Sequence, residues 1–77
     1  MRKREYLMEC GLPWRITKIL DRIEITYLDE LTEFSRNDLL RLRRFGQGSL
    51  VVVEARLAKA RLRLSPTDHP RLSSGEW

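Results

Sequence analysis

Apolar residues recur along this chain at three- and four-residue steps, in blocks separated by glycine, proline and short polar clusters. The longest such series is Leu50, Val53, Leu57, Ala60 and Leu64, which predicts an amphipathic helix from about Ser49 to Leu62. Ile16, Ile19, Leu20 and Ile23 predict a second helix over 13–23, with Pro13 in the first turn, where a missing N–H costs nothing. Leu28, Leu31 and Phe34 mark a short helix, with Thr26 and Asp29 as its capping pair; residues 24–26 read as a short extended connection. Ser35 and Asp38 repeat the capping signal ahead of Leu39, Leu40 and Leu42, whose helix should run to about Arg43. Residues 3–10 read as a short helix or a partly ordered arm, with Tyr6, Leu7 and Cys10 on one side and Gly11 ending it. Pro66 stops the last helix, and the Ser/Pro-rich stretch 65–77 reads as a flexible tail. No period-two alternation is present, so the expected fold is all-α: a small bundle of four to five short helices. The expected organisation is an arm at 1–11, a domain at 12–64 and a tail at 65–77.

The sharpest break is Phe45-Gly46-Gln47-Gly48-Ser49. Two glycines two apart permit a tight turn with positive φ, and Ser49 is a suitable N-cap for the helix that follows. A leucine-rich helix, an apolar residue, Gly-x-Gly and a new helix make up a helix-hairpin-helix pattern. Its chemistry is that of a helix start: unbonded N–H groups and a partial positive charge, with glycines that let the backbone approach a phosphate closely. The plainer alternative is that the glycines only turn the chain between two packed helices.

Charge adds direction. Of the 15 Lys and Arg, against 11 Asp and Glu, most are arginine, whose planar fork suits phosphate. Asp21, Glu24, Asp29, Glu30 and Glu33 face only Arg22 within 21–33, whereas 35–63 is strongly basic, with Arg43 and Arg44 beside the glycines. Such asymmetry suits an oriented molecule with one face toward a polyanion, although paired surface charges would produce the same composition. A single cysteine, Cys10, excludes an intramolecular disulfide and fits a reducing compartment. No apolar run approaches the ~20 residues of a membrane span. His69 has no partner at ligand spacing, Cys10 has no neighbouring base, and carboxylates such as Asp29 and Glu30 sit at helix starts, where they favour the dipole. No cofactor is expected, nor is an enzyme. Trp14 reads as core or edge packing rather than as a base-stacking platform, and Trp77 as a tail residue able to anchor a partner.

The stretch Leu12 to Leu64 resembles the C-terminal domain of the bacterial RNA polymerase alpha subunit. The resemblance rests on Leu12-Pro13-Trp14-Arg15, Ile23-Glu24-Ile25-Thr26-Tyr27-Leu28-Asp29-Glu30-Leu31, Ser35-Arg36-Asn37-Asp38-Leu39-Leu40 and Phe45-Gly46-Gln47-Gly48-Ser49-Leu50, without gaps from Arg15 to Val53. It implies a DNA-binding domain of transcription that takes the minor groove of A·T-rich or non-specific duplex, with RNA polymerase, a sigma factor or a transcription regulator as further partners. It also implies a cytoplasmic, nucleoid-associated place. The family's opening arginine falls on Arg15, its hairpin glycine on Gly46 and its serine on Ser49. Lys18 stands where an asparagine is usual, Gly48 where a lysine is usual and Val52 where a glutamate is usual. The expected DNA-binding set is therefore Arg15, Lys18, Arg43, Arg44, Gly46, Gly48 and Ser49. Val51 and Val52 should both point away from the core, and with Asp29, Glu30 and Glu33 they form the alternative, a surface for a protein partner. Met1 and the tail through Trp77 suggest a free-standing relative, with an excised domain as the alternative.

Overall fold

The computed structural model describes residues 4–70. In chain order it has a 3₁₀ turn at Leu7–Glu9, α1 at Trp14–Asp21, a 3₁₀ helix at Leu28–Glu33, α2 at Arg36–Leu40 and α3 at Gln47–Lys59. The fold is all-α; the single bridge pairs Tyr6 with Tyr27 in antiparallel fashion among the described residues.

One core joins all of these elements. Ile16 and Leu20 of α1 meet Leu28 and Leu31 of the 3₁₀ helix, Leu39 of α2, and Leu50, Val53 and Leu57 of α3, all buried. Leu7 and Cys10 are buried in the same cluster, so the N-terminal segment is part of the packing. Backbone bonds from Leu7 N to Thr26 O and from Leu28 N to Glu5 O, both 2.9 Å, fix it along residues 26–28. Arg4 clasps Asp29 through two bonds of 2.7 and 3.0 Å, and its guanidinium lies 3.8 Å above the Tyr27 ring.

Local chemistry sets the element ends. The Ser35–Asp38 box forms as expected: Ser35 Oγ accepts from Asp38 N at 3.1 Å and Asp38 Oδ2 accepts from Ser35 N at 2.9 Å. In the preceding 3₁₀ helix the capping carboxylate is Glu30 rather than Asp29. It accepts from Thr26 N at 3.2 Å and from Tyr27 N at 2.8 Å, while Asp29 is turned toward Arg4.

Four expectations are corrected. α3 starts at Gln47, with Gly46 as its N-cap, so Ser49 lies within the first turn and does not cap it. The extended backbone of Gly46 (φ −106°, ψ −173°) directs its carbonyl to accept from Leu50 N at 3.0 Å. The positive φ expected of the two glycines belongs instead to Arg44, at 65°. α3 also stops at Lys59, short of Leu62, because Arg61 turns left-handed (φ 60°) and Leu62 N closes on Leu57 O at 2.8 Å. Finally, residues 65–70, read from composition as tail, lie against the helices. Ser65 N donates to Phe34 O at 2.8 Å, His69 N to Asp38 Oδ2 at 2.7 Å and Ser35 Oγ to Asp68, and the His69 ring lies 4.7 Å from that of Phe34. The rest of the expected tail, Trp77 included, lies outside the described residues.

Candidate nucleic-acid interface

Helix α1 separates its faces cleanly. Ile16, Thr17 and Leu20 turn to the core. On the other side Arg15, Lys18, Ile19 and Arg22 follow at the three- and four-residue steps that keep side chains on one face. The turn after α2 supplies a second wall. Buried Leu42 and Phe45 pin its two ends, and Arg43 and Arg44 between them stay exposed. The left-handed Arg44 closes this turn, with Phe45 N donating to Leu42 O at 3.1 Å.

The two walls enclose a groove of about 310 Å³ lined by Trp14, Arg15, Lys18, Ile19, Arg22, Arg43 and Arg44. No carboxylate lines it. Elsewhere Arg4 pairs with Asp29, Arg36 with Glu54, Arg41 with Asp38 and Asp68, and Arg56 with Glu5, while Arg61 and Arg63 at the end of the last helix stand outside any ion pair among the described residues. Among the described residues, none of the five groove cations has such a partner. Crowded, unpaired positive charge destabilises the fold by mutual repulsion, and an anion in the groove relieves it.

The groove thus brings Arg15, Lys18, Arg43 and Arg44 together. It does not include Gly46, Gly48 or Ser49. Gly46 and Gly48 are exposed, and a Cβ at either would meet open space, so no packing within the fold calls for glycine there. Ser49 is 9 % exposed and lies in the first turn of α3, beside the two glycines. Arg22 and Trp14 were not anticipated at the site. Arg22 lies four residues after Lys18, and the periodicity that groups Arg15 with Lys18 would have found it. Trp14, expected as core or edge packing, is instead 67 % exposed on the groove wall, because helical spacing sets it nearly opposite the buried Ile16.

The residues expected for a protein contact fall elsewhere. Val51 and Val52 on α3 are 61 % and 40 % exposed, while Leu50 and Val53 beside them are buried. Asp29 and Glu30 are half-buried and already engaged by Arg4 and by the backbone of Thr26 and Tyr27, and Glu33 is exposed. Cys10 is buried, with its thiol donating to Leu7 O at 3.0 Å. Among the described residues no cluster of His, Cys, Asp or Glu is arranged to hold a metal, and no helix is long and apolar enough to cross a membrane.

Comparison with known proteins gives a consistent family. A family model described as the C-terminal domain of the bacterial RNA polymerase alpha chain matches residues 3–59. A DNA-directed RNA polymerase subunit alpha from Marsilea quadrifolia is 32 % identical over 74 residues, which cover 96 % of this chain and 22 % of that subunit. The chain therefore spans less than a quarter of the length of that curated relative.

Proposed function

The chain belongs to the family of C-terminal domains of the bacterial RNA polymerase alpha subunit, and from that premise we propose that it is a non-catalytic DNA-binding domain of transcription whose contact surface is the α1–Arg43/Arg44 groove. The observation that carries this reading is the convergence of Arg15, Lys18, Arg22, Arg43 and Arg44, without carboxylate partners among the described residues, around one groove. A groove of this kind is selective for polyanions. Its arginines favour a duplex whose minor groove is narrow, as in A·T-rich tracts, where the potential is most negative. Gly46 and Gly48 add exposed backbone at the start of α3, available to a neighbouring phosphate, with Ser49 in the same first turn. One small module of this type binds weakly, at the roughly 10⁻⁴–10⁻⁶ M of non-specific association at physiological salt. Membership in this family also implies association with RNA polymerase itself.

Arg15→Ala tests the reading. It should weaken binding to an A·T-rich duplex and lower the log–log salt slope by about 0.9, the contribution of one phosphate contact. Arg15→Ala binding with wild-type affinity and slope would refute the groove as the DNA contact.

A second reading is supported by Val51 and Val52, a pair of exposed apolar side chains on a helix otherwise buried through Leu50, Val53 and Leu57. They suit a protein partner such as RNA polymerase, a sigma factor or a regulator. Under that reading a Val51→Asp/Val52→Asp double variant loses purified polymerase while keeping its duplex affinity. A double variant that keeps polymerase excludes it.

A further inference from the structure

Trp14 stands at the rim of the cationic groove with its indole mostly in solvent. The other aromatic rings among the described residues are engaged. Tyr6 stacks on Tyr27 at 5.0 Å, Phe34 meets His69, and Phe45 is buried. Trp14 has no ring contact, no cation over its face and no hydrogen-bond partner for its indole N–H among the described residues. Its place in α1 is also ordered relative to the charges. Trp14, Lys18 and Arg22 are spaced at four-residue steps, one stripe with about 5.4 Å of rise per turn, and Arg15 flanks it.

An indole face beside a row of unpaired cations has a specific chemical complement: a nucleobase face beside a row of phosphates. A duplex does not present that complement. Its base faces are stacked on each other, and the grooves display only base edges. To reach a base face in a duplex, Trp14 would have to unstack a base-pair step, at a cost comparable with the stack it regains. A single strand offers its base faces with no such cost.

We propose that the groove binds an unpaired DNA strand, with Trp14 as the stacking platform for one base and Arg15, Lys18 and Arg22 on the adjoining phosphates. This rests on the reading of the groove as a DNA site and adds the strand state it prefers. On an intact duplex Trp14 contributes little, and the cations carry the binding. Where the duplex is opened, Trp14 adds its stack, so the domain favours the opened strand.

The test is fluorescence anisotropy of the full chain with an end-labelled oligothymidine strand and with the same strand paired to oligoadenosine. Trp14→Ala should weaken single-strand binding by roughly 5- to 150-fold, the range expected for one base–aromatic stack. Its effect on the duplex should stay below about twofold, because base faces are not available there. Trp14→Phe should recover most of the single-strand affinity. Thermal melting of both variants should match wild type, because the side chain is largely exposed, so a folding defect does not confuse the result.

If Trp14→Ala leaves single-strand binding unchanged, the inference is overturned. If it weakens strand and duplex equally, the inference is also overturned, and Trp14 acts as a wedge in duplex DNA. Arg15→Ala separates the two levels. If it weakens duplex binding while Trp14→Ala has no effect on the strand, only the stacking platform fails. If the wild-type protein binds neither form, the groove is not a DNA site and both readings fail together.

Discussion

Arg44 is held in the left-handed region at φ 65°, and it is also one wall of the cationic groove. These two facts pull stability and binding in opposite directions. A residue with a Cβ in this region costs ~1–2 kcal/mol, and strain of this kind collects where function requires a particular side chain. Glycine removes that cost but gains freedom in the unfolded state worth ~0.5–1 kcal/mol. Arg44→Gly should therefore stabilise the fold by about 0.5–1 kcal/mol, a rise of roughly 2–8 °C in melting temperature for a domain of this size. Arg44→Ala removes the same charge and keeps the strained backbone, so the difference between the two variants isolates the backbone effect from relief of charge repulsion. Both should lose about 0.9 of log–log salt slope in duplex binding. Thermal melting by circular dichroism and anisotropy titrations at several salt concentrations measure the two quantities. A glycine variant that melts no higher than the alanine variant would refute the strain. An unchanged slope in both would remove Arg44 from the phosphate contact.

Other outcomes follow from the same geometry. Arg61 is left-handed (φ 60°) at the end of α3 and lies outside the groove, so Arg61→Gly should raise the melting temperature similarly while leaving duplex affinity unchanged. Asp38→Ala removes the acceptor for Ser35 N and His69 N from a fully buried position. It should cost roughly 2–4 kcal/mol from the lost cap and the stranded donors, which a urea melt would read, and hydrogen exchange at His69 N should accelerate. Tyr6 has its pKa raised above the ordinary phenol value, first by a side-chain hydrogen bond with Tyr27 and then by the Tyr27 charge. The protonated ring is thus favoured by the fold. Its contribution is fully present below the unfolded pKa near 10 and is lost as pH rises through the raised value, so urea melts should show a smaller loss of stability over that alkaline range for Tyr6→Phe than for wild type.

The sequence carried the fold where the chemistry is local. The periodicity of Ile16, Leu20 and Ile23 and the reciprocal bonds of Ser35 and Asp38 involve neighbours along the backbone, and they form as the pattern predicts. The end of α3 was not legible because Arg61 takes the left-handed role that glycine usually marks. The same holds for Arg44, which left the nearby glycines as the natural but mistaken choice for positive φ. Residues 65–70 look like tail in composition; what holds them is a ring contact and bonds to Phe34, Ser35 and Asp38 about thirty residues away. At the candidate site, helical spacing brings Arg15 to Lys18, but the approach of Arg43 and Arg44 depends on how Leu42 and Phe45 bury. The exposure of Trp14 likewise required knowing which face of α1 meets the core.

The DNA contact proposed for the groove between α1 and the Arg43–Arg44 turn is open to direct measurement. A titration of the isotopically labelled 77-residue chain with an A·T-rich duplex, followed by amide and arginine side-chain NMR shifts, tests it residue by residue. Saturable shifts should concentrate on Arg15, Lys18, Arg22, Arg43 and Arg44, with smaller ones at Gly46 and Gly48 and none at Val51 or Val52. Shifts that leave the groove silent, or that centre on Val51 and Val52, would contradict it.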